Sequence, residues 1–276
     1  MSFHRRSTVG VLLAVFACLA WAAVAGAAEP AKPAPAAKPA AVAAPAAQAA
    51  PMGKISDLWF FWPKEGHAAE FEAAVKAHLA WRKQAGEAFA WECYQPTVGD
   101  DLAYYVFRSG DHQWAEFDTE QAWSMKSKAD AEFDKSVLPH VARYEHQMTE
   151  SDFDHTLWHD NPNYKYFWVE SRQLAPGGYE GVMAAVDKVH KALVAAKWPK
   201  SYGFDWVIGG DGGLLLVLPF TNYADMADPE PPMMKVVAAQ LGSEKDAREV
   251  FHQFDEGVAS TKTTIYLLRT DLSTQK

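Results

Sequence analysis

Between residues 54 and 273 the apolar positions switch repeatedly between two periods. Residues 58–62, Leu-Trp-Phe-Phe-Trp, are apolar without a break. Over 68–84 the spacing becomes that of a helix, with Phe71, Val75, His78, Leu79 and Arg82 on one side. Segments 89–95 and 102–108 flank a Gly-Asp-Asp turn, which predicts a hairpin. A second helical period over 121–137 aligns Ala122, Lys126, Ala129 and Phe133, and 143–149 reads as a closing strand. The order then returns as strand 165–171, helix 179–196, strands 202–208 and 214–220, helix 244–257 and strand 263–270. Ser243 and Asp246 supply a capping box for the last helix. Each half is β-α-β-β-α-β, the split βαβ pattern.

The halves also match residue by residue. Phe61-Trp62 pairs with Phe167-Trp168, and Phe71-Glu72 with Tyr179-Glu180 once a Pro-Gly-Gly insertion is allowed. Trp91-Glu92-Cys93 pairs with Phe204-Asp205-Trp206, Asp100-Asp101 with Asp211-Gly212, Phe133-Asp134 with Phe254-Asp255, and Thr149 with Thr270. Matches kept in order point to duplication. Strands 58–62 and 214–218 are apolar on both faces, so both faces need cover. Helices supply one cover and the sheet of the other half supplies the second. The predicted fold is α+β: two tandem ferredoxin-like repeats packed sheet to sheet as an intramolecular barrel lined by alternate side chains.

This element order resembles the dimeric α/β-barrel superfamily, in a form that carries both ferredoxin-like units in one polypeptide. The resemblance spans roughly residues 54 to 273 and rests on no signature motif. Members include cofactor-independent quinone-forming enzymes of the antibiotic-biosynthesis-monooxygenase type, haem-degrading and chlorite-dismutase-like haem proteins, and stress-responsive barrel proteins. The two facing repeats, with aromatic walls, are expected to hold a small apolar or aromatic ligand inside the barrel. The alternative is a cofactor-independent quinol-type monooxygenase or a haem-dependent oxidoreductase of the same superfamily. The fold alone does not decide whether the chain is an enzyme.

Ahead of the repeats, Arg5 and Arg6 precede an apolar run over 9–24 and the small residues Ala25, Gly26, Ala27 and Ala28, the order of an export signal. Cys18 raises lipoprotein anchoring as a lesser alternative. Residues 29–53, mostly Ala, Pro and Lys, bury too little to fold and read as a tether. The expected organisation is signal 1–28, linker 29–53, first repeat 54–153, inter-repeat linker 154–163 and second repeat 164–276, in a periplasmic or secreted protein. Cleavage removes two of the 26 basic residues and leaves 35 acidic ones, a net charge of 24 − 35 = −11. Without a basic stripe, nucleic acid and anionic lipid surfaces are excluded as partners, whereas self-association is left open. Cys93 would be the one cysteine left, so the mature chain has no internal disulfide.

Candidate chemistry is sparse. Glu92 and Asp205 sit in matching strands among bulky neighbours, where a carboxylate facing the interior must be paired, neutral or functional. His146 stands where the second copy has Leu267, which suggests an inward position and an imidazole available as a base or axial ligand. Trp62 and Trp168 complete the expected lining, so the ligand-binding set is Trp62, Glu92, His146, Trp168 and Asp205. No cofactor is expected; no C-x-x-C-H motif exists, so any haem would be held non-covalently. His155 and His159 are four apart, but Asn161-Pro162-Asn163 breaks a helix there, and no metal site is expected. Cys93 lacks an activating cation nearby in sequence, and 209–213 is a hairpin turn, not a phosphate loop.

Overall fold

A computed structural model describes residues 53–274. The expected signal, Cys18 and nearly all of the Ala/Pro tether lie outside the described residues. The first half contains β1 (Ile55–Pro63), α1 (Ala68–Gln84), β2 (Glu92–Val98), β3 (Tyr105–His112), α2 (Trp114–Ser127), α3 (Ala129–Ser136) and β4 (Val141–Ser151). The second contains β5 (Tyr166–Leu174), α4 (Tyr179–Ala195), β6 (Gly203–Ile208), β7 (Leu214–Phe220), α5 (Met233–Leu241), α6 (Glu244–Glu256) and β8 (Val258–Leu268).

All eight strands form one closed antiparallel barrel in the order β1-β3-β2-β8-β5-β7-β6-β4. The two four-stranded sheets face one another and are joined along both edges, where β2 pairs with β8 and β4 with β6. Duplication thus covers the bare sheet face and pairs both sheet edges, which would otherwise offer free N–H and C=O groups. Helices lie outside, giving two cores between wall and helices. The first is built on Phe61, Phe71, Phe89, Trp91, Phe107 and Val137, the second on Val182, Leu193, Trp198, Tyr202, Leu214 and Val237. Phe61 shows what the aromatic run is for. Its ring lies 5.6–6.1 Å from those of Phe71, Phe107 and Phe133, while its neighbours Phe60 and Trp62 point the other way, toward Tyr104.

Three expectations need correction. The predicted helix over 121–137 is two helices, because Lys128 adopts a left-handed conformation (φ 61°) and ends α2, which itself begins earlier, at Trp114. Between strand 214–220 and helix 244–257, where the periodicity assigned no element, the chain forms helix α5. The residue pairing of β1 with β5 is also shifted. Register breaks occur at Trp62/Pro63 and Gln173/Leu174, and both turns that follow place a glycine at φ 77°, Gly66 and Gly177. Trp62 therefore corresponds to Gln173, and Trp168 to Asp57, five residues earlier in its strand. An odd shift in a strand exchanges faces. The repeat is real, but its aromatic pairs do not occupy equivalent places.

The carboxyl end of the second half crosses onto the first. Arg269 and Thr274 donate backbone N–H groups to the carbonyls of Cys93 and Trp91, both at 2.8 Å. Ser273 Oγ and Thr274 Oγ1 accept from the backbone of Cys93 and Trp91 in return. Arg269 also pairs with Glu72 on α1 at 2.9 Å, and Leu272 is fully buried in the first core.

Candidate functional site

Alternation along β3 decides the site. Tyr105 and Phe107 enter the first core, so Tyr104, Val106 and Arg108 face the barrel interior. Across the sheet Arg108 is registered with Glu92 and with Leu58, which gives those residues the same inward face. Ser151 and Asp205 are likewise registered with each other on the inner side of the β4–β6 seam. These residues gather near the end of the barrel where β1 begins.

Arg108 lies at the centre. Its Nη2 donates to Ser56 Oγ at 2.8 Å, and its Nη1 stands 4.0 Å from Glu92 Oε2. Glu92 Oε2 accepts from the Tyr94 hydroxyl at 2.8 Å, and Asp205 Oδ1 accepts from Ser151 Oγ at 2.6 Å. Gly110, two residues on, provides room, since a Cβ there would fall 2.5 Å from the guanidinium nitrogens. The Arg108 side chain keeps 31 % of its surface accessible and that of Glu92 keeps 39 %, so neither is closed off by its neighbours. Burial disfavours the Arg108 charge, but Tyr94, Asp205, Glu92 and Asp111 outweigh it and hold its pKa above the ordinary value. The Tyr94 hydroxyl is pushed upward, by burial first and by the Glu92 charge second, so it remains a donor. Its ring meets that of Phe167 edge-on at 5.1 Å.

Toward the other end, Trp62 donates its indole N–H to Asp101 at 2.8 Å, lies under the Arg143 guanidinium at 3.8 Å and stacks on Tyr104 at 5.0 Å. The Tyr104 and Tyr266 hydroxyls share a hydrogen bond of 2.7 Å.

Of the five expected lining residues, Trp62, Glu92 and Asp205 face inward. Glu92 and Asp205 are not equivalent, however. Tyr94 pairs with Leu268 as Asp205 pairs with Ser151, so Asp205 takes the place of Tyr94. His146 and Trp168 do not line the barrel. His146 is registered with Trp59 on the outer face, stacks on it at 4.1 Å, bonds Asp57 and is 40 % exposed. Trp168 is registered with Leu218 and Ile265, also outward, and donates to Glu170. The sequence argument compared His146 with Leu267, whereas the register makes Gln147 the inward neighbour. Arg108 and Tyr94 were missed, although each lies two residues from an inward position in its own strand.

His155 bonds Asp152 while His159 reaches the Trp198 carbonyl, and among the described residues no three His, Cys, Asp or Glu side chains are placed to hold a metal ion. Cys93 is fully buried, and burial drives its thiol pKa upward. No described histidine takes an inward strand position. His78, buried with neither ring nitrogen hydrogen-bonded, is packed between Trp81 and Phe133 outside the wall. The interior therefore offers a haem iron no imidazole. Two clefts open on the outside, one of 470 Å³ between α1 and residues 271–274, the other of 290 Å³ between Trp198, Pro229, Pro231 and α5.

No protein-family model matches the sequence, and no curated protein matches it. Solved structures do. A proposed monooxygenase from Lactobacillus acidophilus NCFM is similar at a TM-score of 0.50 and 10 % identity, over 80 % of this chain and 95 % of that one. A proposed monooxygenase from Fusobacterium nucleatum is similar at 0.50 and 8 % identity, over 79 % and 94 %. A chlorite dismutase variant from Candidatus Nitrospira defluvii gives 0.49 and 9 %, over 80 % and 94 %. Identity this low speaks for architecture alone. The chain has the fold of the dimeric α/β barrels, with both ferredoxin-like units carried by one polypeptide.

Proposed function

We propose that the barrel binds a small ligand with an apolar or aromatic body, seated inside the wall with its polar end at Arg108. One observation carries this reading: an inward guanidinium with accessible surface, only one hydrogen-bonded partner of its own, and rings beside it. Ligand sites commonly combine an apolar wall with a few converging polar groups. An inward charge without full satisfaction is costly, and a ligand that completes its bonding offsets that cost.

The test fills the space. Val217, registered with Gly203 and Val169, points inward, so Val217→Trp should block the interior and leave the helix-facing cores alone. Native mass spectrometry of the gently purified protein should show a retained small molecule that the folded Val217→Trp protein lacks. Equal retention by both proteins, or no retained molecule with no binding of small aromatic probes, would refute the proposal. Oxygen consumption on adding quinols would give the enzymatic form of the same reading, a cofactor-free monooxygenase. Export, supported by Arg5, Arg6 and the 9–24 run, is part of the proposal, and the amino-terminal sequence of the mature protein tests it.

A further inference from the structure

Helix α2 is held to the first half by few contacts. None of its 14 residues is buried, and Trp114 and Met125 are exposed. Its inward stripe is carried by Phe117, Glu120 and Trp123, spaced three apart, so an acid sits between two rings. Phe117 meets Phe89 and His112 edge-on at 5.4 and 5.5 Å. Trp123 donates its indole N–H to the Ala85 carbonyl at 2.9 Å and lies under the Arg82 guanidinium at 5.0 Å. Asp111 (φ 67°) ahead of the helix and Lys128 (φ 61°) behind it turn the chain in and out. Between the rings, Glu120 shares a guanidinium with a better-placed acid. Arg82 Nε and Nη2 donate to the two Glu87 oxygens at 2.7 and 2.5 Å, and Trp91 adds its indole N–H at 2.7 Å. Glu120 Oε1 receives only a share of the same Nη2, at 3.0 Å, and its Oε2 is buried without a hydrogen-bond partner. An ionised Glu120 would place a second negative charge on a guanidinium that Glu87 already engages, with one oxygen cut off from any donor.

We propose that α2 is a proton-operated flap, which rests on α1 and segment 85–91 while Glu120 is neutral and opens increasingly as Glu120 ionises, uncovering the Phe89 ring and the Arg82–Trp91 surface. Burial first, and the Glu87 charge second, raise the Glu120 pKa to about 7, and a carboxyl released to solvent returns to 4.5. Opening therefore becomes easier as pH rises from 4.5 toward 7 and levels off above that. The other titratable groups around the stripe come from three elements. His112, from β3, faces Phe117; burial lowers its pKa, so it eases opening as pH falls, the opposite sign. Glu116, on α2 itself, is 3.9 Å from His112, and Asp130, from α3, accepts from Ser124.

The test is hydrogen–deuterium exchange of the full chain at about pH 6 and pH 8, corrected for the intrinsic exchange rate at each pH. Amides of residues 118–127 should be less protected than those of β1 and β3 at both pH values. Their protection should fall about tenfold between the two, the factor that a pKa change from 7 to 4.5 gives over that interval. In Glu120→Gln the fall should shrink to less than about twofold, with α2 better protected at pH 8 than in the unaltered protein. Glu87→Gln, which frees Arg82 for an ionised Glu120, should shrink it as well. Protection of α2 equal to that of β1, so that the helix opens only with the whole molecule, overturns the proposal. So does protection that does not change with pH, or the full tenfold fall retained in either folded variant.

Discussion

Two ionisable side chains outside the barrel act on stability with opposite signs. His78 is buried against Trp81 and Phe133, and burial, with a smaller effect of Arg82, lowers its pKa from 6.5 to about 4. Between those values the unfolded chain binds a proton that the native one refuses, so this contribution weakens as pH falls from 6.5 toward 4. Glu120 shares Arg82 with Glu87; burial, and then the Glu87 charge, raise its pKa from 4.5 to about 7. Here the native chain holds the extra proton, and the contribution weakens as pH rises from 4.5 toward 7. The two slopes oppose each other over most of one window. His78→Leu should leave a protein that loses stability from pH 4.5 to 7, and Glu120→Gln one that gains it from 4.5 to 6.5. Each change should be on the order of 1–3 kcal/mol. Urea unfolding at stepped pH measures both, and parallel slopes in the two variants would contradict the assignment. At this scale the sequence was only half legible. Glu92 and Asp205 stood out because acids are rare among bulky neighbours, whereas Arg108 ends an apolar strand and reads as a boundary until the pairing of β2 with β3 shows the face it shares with Glu92.

Among the elements, helix α1 and the hairpin turns were legible because their signals are local: spacing, glycines and the Ser243 cap, whose Oγ accepts from the Asp246 N–H. The break at Lys128 carried no such signal, since a lysine at φ 61° is held by its surroundings rather than favoured by its own backbone preference. Strand faces were misjudged wherever two copies were compared by residue type instead of register. The segment after β8 was invisible in the periodicity altogether, because its role depends on a distant partner. Its contribution is measurable. Leu272 is fully buried among first-half side chains, and Leu272→Ala should lower stability by about 2–4 kcal/mol, as expected for a cavity in a packed core. The midpoint of chemical unfolding reports it, and a loss within a few tenths of a kcal/mol would mean the segment is only loosely attached.

At the level of the molecule, duplication was the most legible feature, because a sheet with an apolar second face has few ways to cover it. The joining of both edges was not legible, since backbone pairing between β2 and β8 or between β4 and β6 leaves no mark in residue type. Closure makes the halves interdependent. Residues 54–163 expressed alone would expose the edges of β2 and β4, the inward rings and the place left by Leu272. They should form no stable monomer, giving instead dimers or larger species by light scattering. A well-folded monomeric half would show that the seams contribute little.

The crossing of residues 269–274 onto Trp91 and Cys93 also sets an order of events. Translation makes the first half before the second, yet the leucine that completes the interior of the first half follows the whole of the second. During elongation that half must wait, with its core unfinished, for the segment after β8 to arrive. The first core is therefore closed only once the second half has been made.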